Sequence, residues 1–205
     1  MAKLYFRYGT VGSAKTMNLI AVAHNYRSQE KKVLLIKPSL DTRFGAQAIT
    51  SRSGLTMDAD ILVQPDTLLK KEWLNGVHCL LVDEAQFLSQ SLVNQLRSIA
   101  TEMDIPIICY GLRTDFRTQS FEGSLRLFEL ADSVEEVKTT CAFCNKKAIY
   151  NLKFRDGKPT ISGPTIDLGA EEKYLPACAY CYSSQTQTES IGQNQEDSSG
   201  SSDSL

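Results

Sequence analysis

Apolar residues in the first two thirds of this chain fall in short unbroken runs, separated by stretches whose apolar positions recur at helical spacing. Val33-Leu34-Leu35-Ile36 and Cys79-Leu80-Leu81-Val82 are continuous rather than alternating, as strands covered on both faces are. Leu4–Tyr8, Asp60–Val63 and Ile105–Tyr110 complete the clear strand candidates, and Val134–Val137 adds a short one. Between the runs, Leu19, Val22, Ala23 and Tyr26 stand at i, i+3, i+4 and i+7, and Leu92, Leu96, Ile99 and Met103 at i, i+4, i+7 and i+11. Each set makes one apolar helix face to lay against a sheet. Alternating β and α elements predict an α/β fold, an open parallel sheet with right-handed crossovers.

The pattern divides the chain in three. Residues 1–138 carry the α/β alternation, residues 139–182 carry paired cysteines, and residues 183–205 are rich in Ser, Gln and Glu with little to bury. The last stretch reads as a disordered tail. Net charge is −2, which removes any electrostatic case for a nucleic-acid or anionic-membrane partner. No apolar run approaches the roughly 18 residues that span a bilayer. The opening residues run directly into a strand pattern and lack the apolar segment of a signal peptide, so a cytoplasmic protein is expected.

Chemistry enters at the end of the first strand. Gly9-Thr10-Val11-Gly12-Ser13-Ala14-Lys15-Thr16 nearly matches the phosphate-binding G-x-x-x-x-G-K-[ST] loop, and lies between a strand and a helix as that loop must. Successive backbone N–H groups at a helix N-terminus cup an anion, and the aligned peptide dipoles favour phosphate there. Lys15 is placed to reach β- and γ-phosphates, and the Thr16 hydroxyl to ligate Mg²⁺. The strict pattern has glycine where Ala14 stands; if that position needs positive φ, alanine costs about 1–2 kcal/mol. Leu80-Leu81-Val82-Asp83-Glu84 then ends an apolar strand in two acids, at the sheet edge where open α/β sheets bind ligands. Asp83 reads as the partner of the metal and Glu84 as the base that takes a proton from an attacking hydroxyl. The fold expected is therefore P-loop NTPase-like.

Six cysteines in a chain expected to be cytosolic argue for metal or chemistry rather than disulfides. Cys141-Ala-Phe-Cys144 and Cys178-Ala-Tyr-Cys181 supply four thiolates, the tetrahedral set of structural Zn²⁺ with no open water position. Residues 145–177 form a long loop tied at its base, so the metal closes a small ribbon-like module. Cys79 and Cys109 sit in apolar runs and read as small buried hydrophobes. His24, His78 and Trp73 carry no site pattern.

Gly9–Thr16, Asp41-Thr42-Arg43-Phe44, Asp83-Glu84-Ala85-Gln86-Phe87, Gly111-Leu112-Arg113-Thr114-Asp115-Phe116 and Lys173-Tyr174 ahead of Cys178 occur in this order. Together they resemble the zinc-containing cellular (type II) thymidine kinases, over about residues 3–182. The resemblance implies transfer of the γ-phosphoryl group of ATP to the 5′-hydroxyl of thymidine (deoxyuridine possible), to give dTMP in the salvage of DNA precursors. It implies Glu84 as base, Arg43 as stabiliser of phosphoryl charge, and Gly9–Thr16 with Asp83 as the ATP and Mg²⁺ site. It implies a base pocket of Phe87, Leu112, Phe116, Phe121 and Tyr174, and a lid over roughly 151–177 reaching the nucleoside with Asn151, Thr165, Ile166, Asp167 and Leu168. It also implies a homotetramer with no nucleic-acid or membrane partner. Hydrophobicity alone would place Phe87, Leu112, Phe116 and Phe121 in plain core. A second reading from the same motifs is a zinc-containing, DNA-associated P-loop ATPase, against which the scattered Arg113, Arg117 and Arg126 and the acidic balance stand. A third is a nucleotide-binding protein that has lost catalysis, motivated by Ala14.

Overall fold

The computed structural model describes residues 1–41, 45, 47–165 and 173–186. In chain order the elements are β1 (Leu4–Tyr8), α1 (Lys15–Ser28), β2 (Val33–Pro38), β3 (Ala48–Thr50), β4 (Thr56–Asp58), β5 (Ile61–Val63), β6 (Cys79–Val82), α2 (Gln90–Glu102), β7 (Ile107–Gly111), α3 (Glu122–Leu130), β8 (Ser133–Glu136), β9 (Tyr150–Arg155), β10 (Lys158–Thr160) and β11 (Lys173–Ala177). Two 3₁₀ turns, Lys71–Leu74 and Ala85–Phe87, and a closing helix over 179–186 complete the described chain. Among the described residues no helix is long and apolar enough to cross a membrane.

Six strands form one sheet in the order β5-β2-β6-β7-β1-β8, and every neighbouring pair is parallel. The unbroken apolar runs find their reason here, since both faces are covered. Leu4, Phe6, Leu80, Val82 and Ile107 pack with Leu92, Leu96 and Ile99 of α2 and Leu127 of α3 on one face. Leu35, Cys79, Leu81 and Tyr110 pack with Leu19, Ile20 and Ala23 of α1 on the other. Full burial of such side chains contributes roughly 1.5–3 kcal/mol each, so this two-sided core dominates the stability of the sheet.

The expected strands are all present, Leu4–Tyr8 and Cys79–Val82 with the expected ends and the other four with shifted ones. The β7 ladder begins at Ile107, not Ile105, because Pro106 has no N–H to give it; its carbonyl instead accepts the Leu80 N–H at 3.0 Å. The buried face of α1 includes Ile20, while Val22 and Tyr26 are only partly buried. The β3–β4 hairpin and the small antiparallel sheet β10-β9-β11 were not expected from the pattern. The former consists of three-residue strands, and the latter contains β9, which buries two polar residues beside an apolar one. Along β9, Asn151 and Lys153 are buried with Leu152 between them, and Leu152 joins Cys141, Cys178 and Cys181 in a separate apolar cluster. Residues 183–186 continue the last helix, and residues 187–205 lie outside the described residues.

Parallel strands put their C-terminal ends at one edge. β7 lies between β1 and β6, so the loop after β1 and the acids after β6 are two strand spacings apart, roughly 10 Å. Leu112 leaves β7 between them.

Candidate active site

The loop after β1 is shaped by its small residues. A Cβ on Gly9 would lie 2.4 Å from Ser13 Oγ and 2.5 Å from the Val137 carbonyl oxygen, so only glycine admits that approach. Gly12 has φ 74° and Ala14 φ 60°, the left-handed conformation the sequence pattern reserved for glycine. Alanine is tolerated there at a cost of about 1–2 kcal/mol. Helix α1 then starts at Lys15, and its first-turn N–H groups have no partner within the helix. Lys15 Nζ folds back to donate to the Thr10 carbonyl at 2.6 Å and the Gly9 carbonyl at 3.4 Å.

At the end of β6, Asp83 is buried and accepts from Thr16 Oγ1, which lies 3.3 and 3.4 Å from its two carboxylate oxygens. Burial, and secondarily the charge of Glu84, push the Asp83 carboxyl up to about 7, against the pull of Lys15 and the Thr16 hydrogen bond. Glu84 itself has φ 48°, an unfavourable conformation for a residue with a side chain. Its carboxylate accepts from Gln86 Nε2, while Gln86 Oε1 accepts the Leu112 N–H at 3.0 Å. The buried Gln86 thus fixes Glu84 and the loop after β7 at once.

Val11–Thr16, Asp83, Glu84 and Leu112 line one cavity of about 290 Å³. Its far wall is Asp41 and the β3–β4 hairpin, with Thr50, Ser51, Arg52 and Ser53. Asp41 is held by the fully buried Lys37, 3.3 Å away, whose ammonium also donates to the Ala48 carbonyl at 2.7 Å. Arg52 reaches over the phosphate loop, its Nη1 3.8 Å from where a Gly12 Cβ would be. Lys37 and Arg52 carry no sequence signal of a role, since neither lies in a recognisable motif. Gln86 and Asp41 lie inside motifs that could have drawn attention to them.

The aromatic residues stand apart from this cavity. Phe87 and Phe121 make an edge-to-face pair at 5.6 Å, and Phe116, 1% exposed, lies 6.4 Å from Tyr174. Asn151 occupies an unexpected position. It is buried, accepts the Val11 N–H at 2.8 Å and donates to the Thr114 carbonyl at 2.9 Å, which ties β9 to the phosphate loop. Thr165 is exposed and its hydroxyl meets Arg117 at 3.4 Å. Arg43, Ile166, Asp167 and Leu168 lie outside the described residues.

Cys141, Cys144, Cys178 and Cys181 bring their sulfurs within 4.8 Å of one another, and all four are free thiols. Cys144 Sγ is 3.7 Å from both Cys178 Sγ and Cys181 Sγ. A tetrahedral zinc with Zn–S bonds of about 2.3 Å requires S···S separations of about 3.8 Å, so the set fits that ion. Backbone N–H groups of Phe143 and Cys181 point at the sulfurs of Cys141 and Cys178, at 3.4 and 3.5 Å. From the same module Tyr182 donates its hydroxyl to the Phe116 carbonyl at 2.5 Å.

A family model described as thymidine kinase matches residues 2–182. A thymidine kinase of Lactiplantibacillus plantarum is 42% identical over 184 residues, 89% of this chain and 96% of its own. One of Lactococcus lactis subsp. lactis is 41% identical over 186 residues, 89% of this chain and 97% of its own. Among solved structures, the Pif1 helicase of Candida albicans overlaps 66% of this chain and 36% of its own at 16% identity. Its TM-score of 0.39 is too low to bear on fold or function.

Proposed function

Because this chain belongs to the thymidine kinase family, it is an ATP-dependent kinase that phosphorylates thymidine to dTMP, and we propose how its residues divide that work. The amide cup of Gly9–Thr16 receives the triphosphate of ATP. Lys15 exchanges the Thr10 carbonyl for β- and γ-phosphate oxygens, and Arg52 adds a second positive charge from across the cavity. Thr16 and Asp83 suit a magnesium ion, because a buried carboxylate beside a second acid and a hydroxyl is a site short of positive charge. Magnesium, when bound there, neutralises charge on the transferring phosphates.

Glu84 takes the proton of the 5′-hydroxyl as that oxygen bonds to the γ-phosphorus. The bond from the γ-phosphorus to the bridging oxygen breaks, and ADP leaves with the electron pair. Gln86 and the left-handed backbone at Glu84 aim the carboxylate into the cavity, so little reorganisation accompanies the proton transfer. Arg43 stabilises the charge in flight. Leu112, Phe87, Phe116, Phe121 and Tyr174 with Thr165, Ile166, Asp167 and Leu168 receive the base, whereas Asn151 serves the phosphate loop. Zinc on the four cysteines holds the module that carries these contacts, and the working assembly is a homotetramer.

What carries this reading is the convergence of Lys15, Thr16, Asp83 and Glu84 on a single cavity at one sheet edge. The test is a radiolabelled-ATP assay with a panel of nucleosides, including deoxyuridine, and with single-stranded DNA. Label on the 5′-position of thymidine is expected. Phosphate release stimulated by DNA, with no labelled nucleotide, would favour the DNA-associated ATPase instead.

A further inference from the structure

Two cations from different elements stand against the ring of Phe116. The Arg117 guanidinium lies 4.8 Å from the ring centroid and Lys153 Nζ 4.7 Å. Lys153 comes from the middle of β9 and is itself fully buried, a costly place for an ammonium unless hydrogen bonds and a ring face compensate it. Both cations also grip one short segment. Arg117 donates through Nε to the Ile161 carbonyl at 3.2 Å, through Nη2 to the Gly163 carbonyl and through Nη1 to the Thr165 hydroxyl at 3.4 Å. Lys153 donates to the Pro164 carbonyl at 3.5 Å.

The fit around this segment is close. Gly163 has φ 98°, and a Cβ there would lie 3.2 Å from Lys153 Nζ and 3.1 Å from Arg155 Nη2. Phe116 is fixed from behind, its carbonyl bound by Tyr182 at 2.5 Å, and the next N–H, that of Arg117, is held by Asp115 Oδ1 at 2.8 Å. Residues 161, 162, 164 and 165 are exposed and Gly163 is half-buried, so the segment lies outside the apolar cores.

We propose that Arg117 and Lys153 are positioning residues for the nucleoside. By fastening residues 161–165 to the Phe116 ring, they hold Thr165 and the aromatic wall ready for the base. The cost of ordering that segment is met before substrate arrives, and so appears in nucleoside affinity. This rests on reading Phe116 and Thr165 as nucleoside contacts. Phosphate binding depends on the separate Asn151–Val11 contact and is left alone.

The test is steady-state kinetics on the full chain with its zinc. Arg117→Ala and Lys153→Met should each raise KM for thymidine about tenfold, with KM for ATP within about twofold and kcat within about threefold. Arg117→Lys should recover part of the loss, because it restores the charge without the planar fork. The double variant should lose less than the product of the two, since both hold one segment. Gly163→Ala removes no charge but crowds the cations, and should raise thymidine KM as well. It serves if Lys153→Met folds poorly. Phe116→Ala separates the possible failures. If it raises thymidine KM while the Arg117 and Gly163 variants do not, the positioning role is overturned and the pocket stands. If it too leaves KM unchanged, the pocket reading falls and the proposal with it. Equal rises in both KM values would mean general loosening and would also overturn it.

Discussion

The phosphate cavity and the cysteine module sit side by side but are built by opposite means. The cavity lies at the edge of a six-stranded sheet with apolar cores on both faces, and its acids and lysine are carried on strand ends and a helix start. The module has a small antiparallel sheet, an apolar cluster of a few residues around four sulfurs, and polar side chains turned inward from β9. One region is held by burial and can afford strained backbone at Ala14 and Glu84. The other has a four-cysteine set that fits structural zinc, which would replace the core it lacks. The two regions thereby draw on different sources of stability, and they are joined by Asn151 and Tyr182.

The sharpest way to break this contrast is to remove the metal. Structural zinc sites contribute roughly 10 kcal/mol or more to the folding of small modules. Chelation, or Cys178→Ser, should lower thymidine phosphorylation at least about 100-fold. ATP affinity by calorimetry should fall less than about tenfold, through the lost Asn151 anchor alone. An equal collapse of both would show that the two regions are one cooperative unit.

Arg52 tests the cavity from its far wall. A charge-assisted hydrogen bond contributes about 1.5–3 kcal/mol, so Arg52→Ala should weaken ATP about tenfold and leave thymidine affinity unchanged. Unchanged ATP affinity would remove Arg52 from the site.

Asp83 gives the region a pH signature. Its folded carboxyl is raised above the ordinary value near 3.9, so the native state holds a proton the unfolded chain has released. That contribution is complete at low pH and is lost as pH rises through about 7. Without nucleotide or magnesium, Asp83→Asn should melt higher than the parent at pH 8, with the gap narrowing at pH 6. A variant that melts lower at pH 8 would contradict the cause assigned to the shift.

The smallest effect belongs to Ala14. Ala14→Gly relieves the left-handed strain but frees the unfolded chain, a net gain of about 0.5–1 kcal/mol, or roughly 1–4 °C in melting temperature. A lower melting temperature would mean that alanine is not strained there.

The same contrast explains what could be read from the chain beforehand. The central sheet was legible because strands buried on both faces must be apolar throughout, as Val33–Ile36 and Cys79–Val82 are. The phosphate loop and the cysteine pairs were legible because their chemistry fixes residue type and spacing. Strand β9 was not, because Asn151, Leu152 and Lys153 are all buried and two of them are polar, so no apolar run or alternation marks it. Asn151, expected at the nucleoside, bonds the phosphate loop across 140 positions of sequence. Arg52 and the Gln86–Leu112 bond escaped for the same reason, since these partners meet only after folding, while Lys37 pairs with Asp41 four residues on and carries no motif.

The central claim is that Glu84, held by Gln86 at the end of β6, takes the proton of the thymidine 5′-hydroxyl. Measuring Glu84→Gln by single-turnover phosphoryl transfer, beside calorimetry for ATP and thymidine, tests it most directly. A general base contributes about 10²–10⁴ in rate, so transfer should slow by that factor while both substrates bind within a few-fold of the parent. Transfer at the parental rate, or a loss traced wholly to weaker binding, would contradict it.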